Sequence, residues 1–144
     1  MEAVEGETTQ RRLIEAIATQ APDAIIFADR GGAIRFWNDA AERLFGYTRA
    51  EAVGQSLDLI IPERLRRAHW DGFDKALATG VTKYSGKAMT TRSMHRNGDK
   101  IYVDLSFGLV RDASGALIGA TAIGRDCTER QLARAAAAAA PTTA

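Results

Sequence analysis

The sequence predicts an α+β domain in which one antiparallel sheet carries helices across one face. Three observations lead there. The patterns run in the order two strands, small helices, one longer helix, three strands. Residues 100–111 alternate, with Ile101, Val103, Leu105, Phe107 and Leu109 set against Tyr102, Asp104, Ser106 and Gly108, as in a strand with one buried face. A chain of 144 residues, 46% hydrophobic and 26% charged, is large enough for one domain with a real core.

Residues 1–9 are polar and read as a disordered N-terminus. Residues 10–21 place Leu13, Ile14, Ile17 and Ala21 on one helical face, with Thr8 or Thr9 as cap and Pro22 as stop. AIIFADRGGAIRFW reads as a hairpin about Asp29-Arg30-Gly31-Gly32. Asn38 or Asp39 then caps a helix that ends at Gly46 and turns Ala41, Leu44 and Phe45 inward. Thr48 and Glu51 have capping-box spacing, and Gly54 closes that short helix.

Pro62 opens the longer helix and Gly80 ends it. Leu65, His69, Phe73, Ala76 and Leu77 share its apolar stripe, while Arg64, Arg66, Arg67, Asp71, Asp74 and Lys75 fall largely elsewhere. An imidazole on such a stripe must find a polar partner, which singles out His69. Residues 81–94, 100–111 and 116–125 read as three strands of a meander, joined by turns at Asn97-Gly98 and at residues 112–115. Residues 128–140 form an exit helix beginning at Thr128, and residues 135–144 are a low-complexity, alanine-rich tail.

Bulk properties exclude several functions. A net charge of +1 with no long basic run argues against nucleic acid as a partner. The one cysteine, Cys127, excludes an internal disulfide and any multi-cysteine metal cluster; it reads as a packed residue near a strand end in a reducing compartment. There is no signal-peptide pattern and no apolar run approaching the ~20 residues that span a bilayer, so the expected location is cytoplasmic. No phosphate-binding glycine loop or nucleophile–base pair is visible, so the chain is not expected to be an enzyme.

The runs IRFWNDAAERLFGYTRAEAVGQSLDLIIP, RNGDKIYVDLSFG and GALIGATAIGRDCTER together resemble a PAS domain, the sensory and dimerisation module of bacterial signalling proteins. The resemblance extends over residues 10–134. It implies a five-stranded antiparallel sheet, helices on one face, flanking helices at both ends, and a role in sensing or partner contact.

Within that family, Pro62, Arg66 and His69 resemble the P-x-x-x-R-x-x-H segment of haem-binding members, which implies haem b with His69 as proximal ligand and gas or redox sensing as the role. The distal side departs from the pattern. Met89 stands where the oxygen sensors resemble one another in an arginine, and Lys87 where the phosphodiesterases place a methionine. Met89 is then the candidate sixth ligand, giving a His/Met redox or carbon monoxide site. Leu105 and Phe107 match the apolar distal pair, and Arg66 or Lys87 would pair with the propionates.

The alternative is a haem-free domain that acts as a homodimerisation or protein-interaction module, or binds flavin or a small metabolite. Trp37, Asn38, Trp70, Tyr84, Lys87 and Tyr102 are candidate wall or rim residues for such a pocket. For Trp37 packing against a terminal helix, and for Asn38 a capping role, are the competing structural readings. His95, beside the hairpin turn, is expected to be exposed and structural, and Met94 to be filler. The apolar face of the first helix predicts a homodimer through Leu13, Ile14 and Ile17, and residues 126–130 would couple the last strand to the exit helix. No output domain is read within the chain, leaving an excised sensor or a free-standing partner-binding protein.

Overall fold

The computed structural model describes residues 2–82 and 87–140. Helix α1 (Glu2–Gln20) leads into strands β1 (Ala24–Asp29) and β2 (Ile34–Trp37), then helices α2 (Asp39–Phe45) and α3 (Arg49–Ala52). A 3₁₀ turn at Leu57–Leu59 precedes helix α4 (Glu63–Thr79), and strands β3 (Met89–Met94), β4 (Lys100–Arg111) and β5 (Leu117–Asp126) precede helix α5 (Thr128–Ala139). The five strands form one antiparallel sheet in the order β2-β1-β5-β4-β3. The last three strands are the expected meander. Its final strand closes the sheet by pairing with β1.

Local chemistry explains most element boundaries. Asp29 shapes the first hairpin, its Oδ1 accepting the N–H groups of Gly31 and Ala33 and its Oδ2 accepting Arg35 Nε at 2.7 Å. Asn38 caps α2, and Thr48 with Glu51 forms the full capping box on α3. The β3–β4 turn docks on the end of α2: Arg96 N–H donates to Phe45 C=O, and the Arg96 guanidinium pairs with Glu51 at 2.7 Å. His95 is half-buried rather than exposed, because its ring packs against Gly46 in that contact.

Two boundaries differ from the sequence reading. Helix α1 starts at Glu2, so residues 2–9 are helical rather than disordered and neither Thr8 nor Thr9 is a cap. Acidic Glu5 and Glu7 favour the N-terminal end of a helix, so the helix propagates through Gly6. Strand β3 is shorter than 81–94 and begins at Met89; residues 83–86 lie outside the described residues, as do 141–144 of the tail. Helix α5 covers residues 128–139 of the exit helix expected over 128–140.

The core lies between the inner sheet face and α2. Trp37, Phe45, Ile26, Ile34 and Val103 are fully buried, and the Trp37 and Phe45 rings meet at 5.4 Å. Strand register sets three rows across that inner face: Met89, Leu105, Gly124 and Ala24; Phe107, Ala122, Ile26 and Trp37; Leu109, Ala120, Ala28 and Ile34. The central strands β1 and β5 thus present mostly Ala and Gly, and the bulk stands at the edges. Gly124 is obligatory for packing, since a Cβ there would lie 1.7 Å from Asp104 O. Among the described residues, no helix is long and apolar enough to cross a membrane.

Candidate functional site

Helix α4 stands off the sheet. Of its 17 residues only Leu77 is buried, while Leu65, Arg66, His69, Trp70, Phe73 and Ala76 are half-buried along one stripe. The helix is held by a few polar contacts. Trp70 Nε1 donates to Asp58 Oδ1 at 2.7 Å, and the Trp70 ring occupies the space above Gly32, where φ is 82° and a Cβ would lie 2.3 Å from the indole. Arg66 donates from Nε to Ile61 C=O at 3.0 Å and from Nη2 to Asp58 C=O at 3.2 Å. At the other end Gly80 lies against Arg111.

His69 sits within this stripe, edge-on to Trp70 at 4.7 Å and stacked with Phe73 at 6.0 Å. Its Nδ1 is sealed from solvent and has no hydrogen-bond partner. Burial lowers its pKa from the ordinary value of 6.5, and the carboxylates of Asp58 and Asp74 only partly oppose that. The ring is therefore held neutral at pH 7, the state in which a ring nitrogen can bind a metal.

The other predicted residues divide. Met89 is half-buried at the start of β3 and pairs directly with buried Leu105, so the two share the inner face. Phe107 follows on that face, half-buried against the core. Lys87 is exposed. Arg66, the alternative to Lys87 for a propionate, donates to the Asp58 and Ile61 carbonyls. Tyr102 lies on the outer sheet face with Asp104, beneath the Arg92 guanidinium at 5.8 Å, because its register sets it against the inward Ile101 and Val103. Trp37 is a fully buried core residue packed on Phe45 of α2. Asn38 is wholly engaged by backbone groups. Tyr84 lies outside the described residues.

Two roles escaped the sequence reading: Asp58 as the anchor of Trp70, and the full set of Asn38 partners. Neither leaves a local pattern beyond a cap at Asn38. Among the described residues, no group of three or more His, Cys, Asp or Glu side chains converges as a metal site. His69 and Met89 are the residues that would hold a haem, with small side chains on the central strands and exposed Lys87 just before β3.

A sheet with a loosely seated helix over its inner face, and helices projecting at both ends, defines a small sensory domain. A family model described as the PAS fold matches residues 18–132, and the chain belongs to that family. It is 33% identical over 129 residues to sensor protein FixL of Bradyrhizobium diazoefficiens, covering 89% of this chain and 25% of the relative. It is 31% identical over 93 residues to oxygen sensor protein DosP of Escherichia coli, covering 56% of this chain and 12% of the relative. The chain thus spans a quarter or less of these curated relatives. Among solved structures, a PAS domain from Colwellia psychrerythraea superposes with a TM-score of 0.71 at 22% identity, covering 83% of this chain and 98% of the other, a likeness of fold.

Proposed function

We propose that this PAS sensory domain binds haem b between α4 and the inner sheet face, with His69 as proximal ligand, and passes the ligand state to its flanking helices. The observation that carries the reading is His69 itself: a neutral imidazole on the inward stripe of α4, with a buried nitrogen that no protein group satisfies. The similarity to an oxygen sensor protein and to FixL supports it. When bound, haem would supply an iron centre responsive to a gas molecule or to redox state.

The protein's own part is positional. Trp70, pinned by Asp58, sets the turn of α4 that carries His69. Met89 offers a thioether from the first inner row, and the Leu105 and Phe107 side chains keep that wall apolar. Lys87 is the cation for a propionate. In this reading the domain is a cytoplasmic, non-enzymatic sensor that forms a homodimer through α1.

The test is an absorption spectrum of the purified protein before and after hemin and dithionite. A Soret band that is lost in His69→Ala is expected, and a Met89→Leu variant should shift the ferrous spectrum. No Soret band after reconstitution would end the haem reading.

A second reading rests on a different observation. Leu13, Ile14 and Ile17 on α1 are 53%, 55% and 61% exposed, an apolar stripe that a haem-free interaction module would use. Removal of residues 1–20 should then lower the mass in solution from dimer to monomer. A dimer that survives the truncation excludes α1 as the interface.

A further inference from the structure

Asn38 does more than begin a helix. Its side chain is fully buried, and all four hydrogen-bonding positions of the amide are in use. Oδ1 accepts the N–H of Ile25 at 2.9 Å and of Ala41 at 3.0 Å, so one oxygen ties the start of β1 to the first turn of α2. Nδ2 donates to the C=O of Ala18 at 2.9 Å and of Asp23 at 2.9 Å, so the nitrogen ties the end of α1 and the following link.

The Ala18 bond has a reason in the sequence. A helical carbonyl at residue 18 awaits the N–H of residue 22, and residue 22 is proline, which has none. Asn38 supplies the missing donor. The link is held from the sheet side as well, where Arg125 on β5 pairs with Asp23 at 2.9 Å. Helix α1 carries the exposed Leu13, Ile14 and Ile17 stripe, so whatever fixes its last turn fixes the direction in which that stripe is presented.

We infer that Asn38 is the positioning residue that couples the N-terminal helix to the sensory core, its oxygen holding the core and its nitrogen holding the helix. The inference is independent of which ligand the domain binds.

The two halves of the amide are separable by Asn38→Asp, which keeps Oδ1 with both its acceptor positions and replaces the nitrogen and its two donors by one oxygen facing two carbonyls. The measurement is hydrogen exchange on the full chain. The expected result is that amides of residues 17–20 exchange about tenfold faster or more than in the wild type, the scale of one or two net hydrogen bonds, while Ala41 and the β4–β5 amides keep their protection. Exchange at residues 17–20 within twofold of the wild type overturns the inference. Should the variant not fold, native-state exchange of the wild type across low denaturant decides: joint opening of Ile25, Ala41 and the last turn of α1 supports the coupling. Opening of α1 while Ile25 and Ala41 stay closed rejects it.

Discussion

Helices α2 and α4 face the same sheet, yet they are seated in opposite ways. Helix α2 has 7 residues and buries Ala40, Ala41 and Phe45; α4 has 17 and buries Leu77 alone. The short helix is fixed by Asn38 at its start, by the Trp37–Phe45 ring contact, and by the β3–β4 turn at its end. The long one hangs on Trp70, Arg66 and Gly80. A satisfied, close-packed end resists rearrangement, whereas an end with a buried imidazole nitrogen left unpaired gains when a ligand supplies the partner. One end of the domain is a frame, and the other is where binding can change something.

That contrast makes ordered predictions. Trp37→Ala should cost about 3–5 kcal/mol in denaturant unfolding, because a fully buried indole leaves a cavity the frame cannot collapse. Trp70→Phe keeps a ring over Gly32 but loses the bond to Asp58, and should cost about 1 kcal/mol. A loss as large as that of Trp37→Ala would show that α4 is seated as firmly as α2. His69→Ala should change the stability of the ligand-free chain by no more than about 1 kcal/mol in either direction, since it removes ring contacts and an unsatisfied nitrogen together. A large loss would mean that the imidazole serves the fold rather than a ligand.

The smallest effect concerns acid. The Asp29 carboxyl is held below its ordinary 3.8, first by the hydrogen bond from Arg35 and then by the turn N–H groups. A depressed carboxylate stabilises the fold above the unfolded-state value, and that contribution is lost as pH falls through the unfolded and then the folded value. Asp29→Asn should therefore lower stability slightly at neutral pH, where the charged carboxylate contributes, and flatten the acid limb below about pH 4. An unaltered acid limb would show that the first hairpin is not stabilised through this charge.

The local elements were legible because their signals are local. The capping box at Thr48, the Asn38 cap, the glycine end of α4 and the alternation of β4 each report one turn or one face. The stripe that carries His69 was readable for the same reason, as a period along one helix. The partners of Arg66 and Tyr102 were not legible because a guanidinium near a helix start and an aromatic ring on a strand look alike whether they face a ligand or a carbonyl. Their partners, Asp58, Ile61 and Arg92, were set by packing between elements.

From sequence alone came the α+β class, the meander, the caps and the singular imidazole, all of which follow from periodicity and backbone hydrogen-bonding needs within a few residues. Only the tertiary structure decided that β5 lies beside β1, that small side chains occupy the middle of the inner face, that α4 is lightly seated, and that one amide joins three elements. Those outcomes depend on contacts between residues far apart in the chain, where a side chain's role is determined by the partner that folding brings to it.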